Sequence, residues 1–324
     1  MEPRLLSAEQ SNASIAFDDK LILKLYRRLR PGVQPDIEIA RFLTEDTDFG
    51  SSPALLGTIE WEAADGTITT LAAATAFVRN QGDAWTYVTE ALERDMEHQD
   101  LSGPDAQDTP DDEATMGGPL DLGDVLGRRT AELHLALASG PDGTAFSQEP
   151  FAQDDLKTLA RDVEAELAAT LDRLARVQGD LPETSRALAG AVLEHRDRLV
   201  RKVRQVADLP PSGGQCRIHG DYHLGQVLVA QTDVMIIDFE GEPTRTLDER
   251  TAKTSPLRDV AGMLRSFDYA LWSTVRRRIE MGASPERTLA GVNRWREATQ
   301  GTFLRAYRAT MDGSPVHPAD KALE

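Results

Sequence analysis

The stretch from Arg217 to Pro243, RIHGDYHLGQVLVAQTDVMIIDFEGEP, holds the densest set of side chains able to do chemistry in this chain. His219-Gly220-Asp221 follows a short β-type run, Gln226 comes five residues after Asp221, and Asp238 closes the apolar run VMII, 12 residues beyond Gln226. Phosphoryl transfer needs parts of these types in this order. One carboxylate orients the attacking hydroxyl and accepts its proton; an amide oxygen and a second carboxylate hold Mg2+ against the phosphates of ATP. Asp221, Gln226 and Asp238 fit these roles, with Glu240 a further candidate on the metal side.

Two other readings compete for the same residues. His219 and His223 are four apart, a spacing that presents two metal nitrogens on a helix, but Gly220 and the preceding β run argue against a helix and the HExxH glutamate is missing. A turn whose polar side chains satisfy backbone groups accounts for the two histidines. It accounts poorly for Asp221, Gln226, Asp238 and Glu240 taken together. Upstream, Lys24 sits inside the apolar run LILKLYRRL, and Glu38 follows 14 residues later on an expected helix. A strand lysine held by a helix glutamate, so that its ammonium meets the phosphates of ATP, is the other half of the apparatus. Alone, Lys24 would read as an edge-strand lysine reaching solvent; beside the downstream motif the paired reading is favoured. Where a glycine-rich phosphate loop is expected stands Glu9-Gln10-Ser11-Asn12-Ala13-Ser14, without glycine. Ser11, Asn12 and Ser14 can donate side-chain hydrogen bonds to phosphate instead.

These groups need a scaffold of short strands and helices. Ser14–Phe17 and Leu21–Leu25 read as strands joined at Asp18-Asp19, and PDIEIARFLTE from Pro35 reads as a helix with Ile37, Ile39, Ala40 and Leu43 on its apolar side. Leu55–Glu62 and Thr69–Val78 flank Asp65-Gly66, a strong hairpin turn. Helical periodicity returns after Asp121, over about Gln153–Gln178 and Pro182–Ala207, and again in SPLRDVAGMLRSFDYALWSTV; Cys216–His219 and Val234–Phe239 read as strands. The expected fold is α+β and two-lobed: an ATP-binding, β-rich N-lobe over residues 1–90, an acidic insertion over 91–125 and a helical C-lobe over 126–324. From Glu93 to Asp124 there are eleven acidic residues against one basic, a net of −10 out of the chain's −18. The middle of that stretch, LSGPDAQDTPDDEATMGGP, reads as a solvated loop, and it lacks the alternating ligand spacing of a calcium loop.

Composition narrows the class. The chain has 324 residues, one cysteine (Cys216) and 54 acidic against 36 basic side chains. A disulfide framework is excluded. The acidity argues against a nucleic-acid surface, since phosphate contacts need clustered Lys and Arg. No apolar run approaches the ~18 residues of a membrane span, and the first residues lack a signal-peptide pattern, so a cytoplasmic location is expected.

In protein kinases the catalytic parts read HRDxxxxN and DFG; here they read HGDYHLGQ and DFE. Together with EQSNAS, LILKLYRRLRPGVQPDIEIARFLTE, FVRNQGDAWTYV, LGRRTAELHLALA, IIDFEGEP and SPLRDVAGMLRSFDYA, the chain resembles the maltokinase family, relatives of the aminoglycoside phosphotransferases, from about Glu9 to Tyr269. The resemblance implies a protein-kinase-like fold and ATP- and Mg2+-dependent phosphorylation of maltose at its anomeric hydroxyl. It implies Asp221 as catalytic base, Gln226 and Asp238 as Mg2+ ligands, and Lys24 with Glu38 as the phosphate-binding pair. The backbone at Ala76, Phe77 and Val78 is implied to meet the adenine. His223 and Arg258 are implied at the sugar, with Asp259 bracing the catalytic loop. The same signature serves glucosamine kinases and aminoglycoside phosphotransferases. Family members carry roughly one hundred residues before EQSN and continue past a DKAL-like motif, so the expectation is a core without either end. Such modules also occur fused to trehalose synthase, which implies that enzyme as a partner and, as an alternative, a non-catalytic scaffolding role.

Overall fold

The structure is a computed structural model that describes residues 2–6, 12–102 and 121–318. Ser11, most of the EQSN stretch, residues 103–120 of the acidic segment and the terminal DKALE lie outside the described residues. The chain divides into two compact units: Met1–Gln148 with Cys216–Ser314, and Glu149–Gln215 with Pro315–Glu324.

In the first unit, strands β1 (Pro3–Leu6), β2 (Asn12–Phe17) and β3 (Leu21–Tyr26) lead to helix α1 (Pro35–Glu45), then to β4 (Leu55–Glu62) and β5 (Ile68–Ala76). Among the described residues these strands make one antiparallel sheet in the order β1-β2-β3-β5-β4. Both expected hairpins form. The β2–β3 turn holds Asp18 at φ 49°, and the β4–β5 turn uses Gly66 at φ 83° while the Asp65 carboxylate accepts from the Thr67 N–H. Aspartate and glycine tolerate these left-handed conformations, which is why the pairs mark turns. The register sets Ser14 opposite Lys24 and Asn12 opposite Tyr26, so all four side chains share one sheet face. Helix α1 starts at Pro35, whose fixed φ suits a first helical position, and buries Ile37, Ile39, Ala40, Phe42 and Leu43.

Helix α2 (Ala84–Ser102) follows. It runs into the segment expected as an acidic insertion over 91–125, whose start is therefore helix and not insertion: alanine, leucine and methionine at 91, 92 and 96 are buried, and this apolar side carries the helix through the first acids. Helix α3 (Leu122–Leu137) begins at an Asp121 cap that accepts from the Asp124 N–H. The second unit contains β6 (Glu149–Pro150), α4 (Gln153–Val177), α5 (Glu183–Glu194), α6 (Arg196–Gln205) and β7 (Gly214–Gln215), with β6 paired to β7. The single helix expected over 182–207 is two helices, broken where His195 leaves helical geometry at ψ 5°. The chain then returns to the first unit with the hairpin β8 (Val227–Ala230) and β9 (Asp233–Ile236), and helices α7 (Leu247–Thr251), α8 (Leu257–Glu280) and α9 (Pro285–Met311). No helix among the described residues is long and apolar enough to cross a membrane.

The helical core of this unit is built on α3, α8 and α9 around Leu126, Leu133, Phe267, Leu271, Phe303 and Tyr307, all fully buried. Contact between α3 and α9 depends on glycine: a Cβ on Gly123 would lie 2.9 Å from the Thr299 carbonyl oxygen, and one on Gly127 would strike the Phe303 carbonyl. In a free helix Gly→Ala gains about 1 kcal/mol. Here backbone obstructs the methyl, and overpacking of this kind costs roughly 1–3 kcal/mol or more. Gly127→Ala is therefore expected to lower the urea midpoint; a midpoint equal to or above that of the parent protein would mean the helices are not in this contact.

Candidate active site

A partly buried charge cluster lies where β3, α1 and the segment after β9 meet. Lys24, in the middle of β3, places its Nζ 2.6 Å from Asp238 Oδ1, 2.6 Å from Glu240 Oε1 and 3.1 Å from Asp36 Oδ2. Burial by itself would lower the Lys24 pKa, yet the carboxylates of Asp36, Asp238 and Glu240 hold it well above its usual value. Burial pushes Asp238 upward, and Lys24 more than reverses that, leaving it below the ordinary carboxylate range. Glu240 is raised, by burial first and then by the two neighbouring acids, against the pull of Lys24.

The expected partner of Lys24 is corrected. Asp36, not Glu38, meets it; Asp36 also accepts from the Tyr26 hydroxyl at 2.8 Å and from the Phe239 N–H at 3.1 Å. Glu38 accepts from Arg217 Nη1 at 2.5 Å. The reason is helical phase. Residues two apart on a helix point about 200° apart, so only one of the pair can face the lysine. Asp36, Tyr26 and Arg217 were not legible as site residues by motif, although the two acids in one helical turn are a visible sign that the assignment is a choice of phase.

The loop that carries Asp221 is held from beneath. Asp259, two residues inside α8 and fully buried, accepts from the His219 N–H at 2.7 Å and from the Gly220 N–H at 3.0 Å. His134 of α3 donates from Nε2 to the same carboxylate at 3.2 Å, and its Nδ1 lies 3.0 Å from the Tyr307 hydroxyl of α9. The brace expected of Asp259 is present, and His134 and Tyr307 extend it. Gly220 adopts φ 82°, and the His219 ring bridges the two ends of the site: its Nδ1 accepts from the Asp221 N–H at 3.3 Å and its Nε2 lies 3.0 Å from the Ile237 carbonyl, one residue before Asp238. Gly262 of α8 passes so near the Tyr222 carbonyl that a Cβ would lie 2.7 Å from its oxygen, which seats the loop directly on the helix. Asp238 itself has φ 67°. Aspartate is among the few non-glycine residues that visit this region, and the conformation turns its carboxylate toward Lys24.

The other candidates fall into place around this centre. Gln226 lies close enough to Asp238 for its amide to help hold that carboxylate below the ordinary range, and its Nε2 is 3.5 Å from His223 Nε2. Asn12 donates from Nδ2 to Glu240 Oε1 at 2.7 Å. Ser14 is buried beside Lys24 with a hydroxyl that has no hydrogen-bond partner among the described residues. Phe77 and Val78 follow β5; the Phe77 N–H donates to Lys20, and two bonds, Gln81 N–H to Val229 O and Val229 N–H to Gly82 O, pin the connecting segment to β8. His223 is local in its contacts: Nδ1 accepts from the Gly225 N–H at 3.1 Å, and burial lowers its pKa. Arg258 lies 3.4 Å from Glu242 and is partly exposed.

Asp36, Asp238 and Glu240 each offer a carboxylate oxygen within 4.8 Å of the others. An all-oxygen set with a neighbouring amide is what Mg2+ takes. Three carboxylates against one ammonium leave two formal negative charges, matching one divalent cation. The residues present therefore fit the metal that the sequence motif implies.

The sequence profile described as the phosphotransferase enzyme family, APH, matches residues 2–298. The chain belongs to that family. Curated relatives of this chain include the glucosamine kinase of Mycolicibacterium smegmatis (strain ATCC 700084 / mc(2)155), 26% identical over 267 residues that make up 82% of this chain and 58% of the relative. The glucosamine kinase of Streptacidiphilus jiangxiensis is 29% identical over 202 residues, 61% of this chain and 40% of the relative. Among solved structures, a glucosamine kinase in complex with glucosamine, ADP and inorganic phosphate superposes with a TM-score of 0.70 at 23% identity, covering 97% of this chain and 66% of that one. This likeness shows the kinase-like fold expected from the sequence, a mixed α/β chain with a five-strand sheet and many helices. The chain spans less than two thirds of the length of these relatives.

Proposed function

We propose that this chain transfers the γ-phosphate of ATP to a hydroxyl of a small sugar, with glucosamine the first candidate acceptor. The observation that carries the reading is the single cluster that brings Lys24, Asp36, Asp238 and Glu240 together with Gln226, on the same segment as Asp221. Asp221 orients the acceptor hydroxyl and takes its proton as the oxygen attacks. Lys24 binds phosphate oxygens, and Asp36 keeps its ammonium charged and aimed. The buried Ser14 hydroxyl and the Asn12 amide are donors for phosphate on the same sheet face. Asp238, Gln226 and Glu240 would hold Mg2+, with Asp36 beside them; the metal supplies charge neutralisation on the phosphate oxygens. The backbone at Phe77 and Val78 lies where the sheet passes into the helical lobe and is assigned to the adenine. His223 and Arg258 are assigned to the sugar side.

Glucosamine is favoured over maltose by the names of the curated relatives and of the solved structures. Maltose remains the second reading because HGDYHLGQ with DFEGEP is the combination that resembles the maltokinase family; association with a trehalose-metabolising enzyme belongs to that reading. A coupled assay of ADP release with glucosamine, maltose and an aminoglycoside separates them. Turnover is expected with glucosamine and Mg2+ and none with excess EDTA. Turnover with maltose alone would move the assignment to the second reading, and Mg·ATP binding without turnover on any acceptor would favour a scaffolding role.

A further inference from the structure

Arg217 is the largest fully buried side chain among the described residues, with 2% of its surface exposed, and it lies four residues before Asp221. Its Nη1 donates to Glu38 of α1 at 2.5 Å, and its guanidinium carbon sits 5.5 Å from the centre of the Phe146 ring. Phe146 stacks on Phe42 with centroids 3.8 Å apart and planes at 4°. Phe42 follows Glu38 by four residues, one helical turn on the same side. Arg217 is therefore tied to α1 at two points, once through charge and once through the stacked rings. Its Nε and Nη2 have no hydrogen-bond partner among the described residues. A buried cation with one carboxylate and two nitrogens, three N–H donors, left idle is a poor device for stability, since an apolar residue of similar volume often does as well or better.

Across the helix, α1 presents Asp36 to Lys24, Tyr26 and the Phe239 N–H. Phe239 stands between Asp238 and Glu240. The first turn of α1 is thus clamped between the extended segment that leads from Arg217 into the Asp221 loop, which forms no strand where the sequence suggested one over Cys216–His219, and the lysine–acid cluster. We infer that Arg217 is a positioning residue for the nucleotide site: by holding Glu38 it fixes the rotation of α1, and with it the placement of Asp36 against Lys24 and the Asp238–Glu240 segment. The inference rests on the phosphotransferase reading above. It assigns Arg217 no contact with substrate.

Arg217→Met, Arg217→Lys and Glu38→Gln in the full chain test it. The readouts are Mg·ATP affinity by calorimetry, KM for Mg·ATP and for the sugar measured separately, and Tm. Arg217→Met and Glu38→Gln are expected to weaken Mg·ATP binding about tenfold, the double variant no further than the worse single one, with the sugar KM within about twofold of the parent. Arg217→Lys, which keeps a cation for Glu38, is expected to recover most of the loss. Folded variants that bind Mg·ATP as the parent does would overturn the inference, as would a loss shared equally by both substrates. Failure of both Arg217→Met and Glu38→Gln to fold would make the pair purely structural and overturn it too. A parent protein that binds no Mg·ATP would instead defeat the phosphotransferase reading, so the two failures are distinguishable.

Discussion

Asp221→Asn is expected to lower kcat for sugar phosphorylation by about 10²–10⁴-fold, the range that a positioned general base contributes, while Mg·ATP affinity stays near that of the parent. The asymmetry follows from the geometry. Asp221 is placed by the His219 ring through its own N–H, and none of the three carboxylates around Lys24 depends on it. An amide in its place cannot take the hydroxyl proton, yet it leaves the Lys24–Asp36–Asp238–Glu240 cluster intact. Steady-state kinetics beside calorimetry resolve the two effects. Turnover close to that of the parent would remove Asp221 from the role of base.

Asp259→Asn is expected to act on both stability and turnover. The carboxylate is fully buried and accepts from two backbone N–H groups and from His134. Burial pushes its pKa up, but the His134 bond and charge, the His219 charge and the Gly220 N–H bring it below the ordinary aspartate value. An amide nitrogen in one oxygen position would face a donor it cannot satisfy, and breaking a buried charged network by removing one partner costs about 3–5 kcal/mol. The sign with pH is fixed by the depressed folded pKa. The stabilisation is present above the unfolded aspartate pKa of about 3.9 and is lost as pH falls through the lower folded value. The difference in unfolding free energy between parent and Asp259→Asn should therefore be largest near neutrality and shrink below about pH 4. Because the N–H of His219 or of Gly220 loses its acceptor, kcat should fall as well. Urea unfolding at neutral and acidic pH measures the first effect; a difference that grows on acidification would contradict the assigned ionisation.

Much of this site is legible in the residues alone, and the limits have physical causes. The order Asp221, Gln226, Asp238 is local in sequence, because one loop and one hairpin supply all three, so spacing alone groups them. The two hairpins of the sheet announce themselves through Asp18-Asp19 and Asp65-Gly66, where backbone conformation restricts residue type. Lys24 stands out because a charge interrupts an apolar strand. Its partner does not, since choosing Asp36 over Glu38 depends on the rotation of α1, which tertiary contacts set. Arg217 and His134 are hidden for a related reason: the partner of each is more than a hundred residues away. The continuation of α2 through an acidic stretch is masked by charge density, since composition weighs acids on the exposed side equally with the buried residues that decide helix formation.

The most direct measurement is transfer of labelled γ-phosphate from ATP to glucosamine by the purified chain, with and without Mg2+, beside Asp221→Asn. The account predicts one phosphosugar formed per ADP released in the parent, abolished by EDTA and reduced by about 10²-fold or more in the variant. Label that passes only to water, or to the sugar at the same rate in parent and variant, would contradict it.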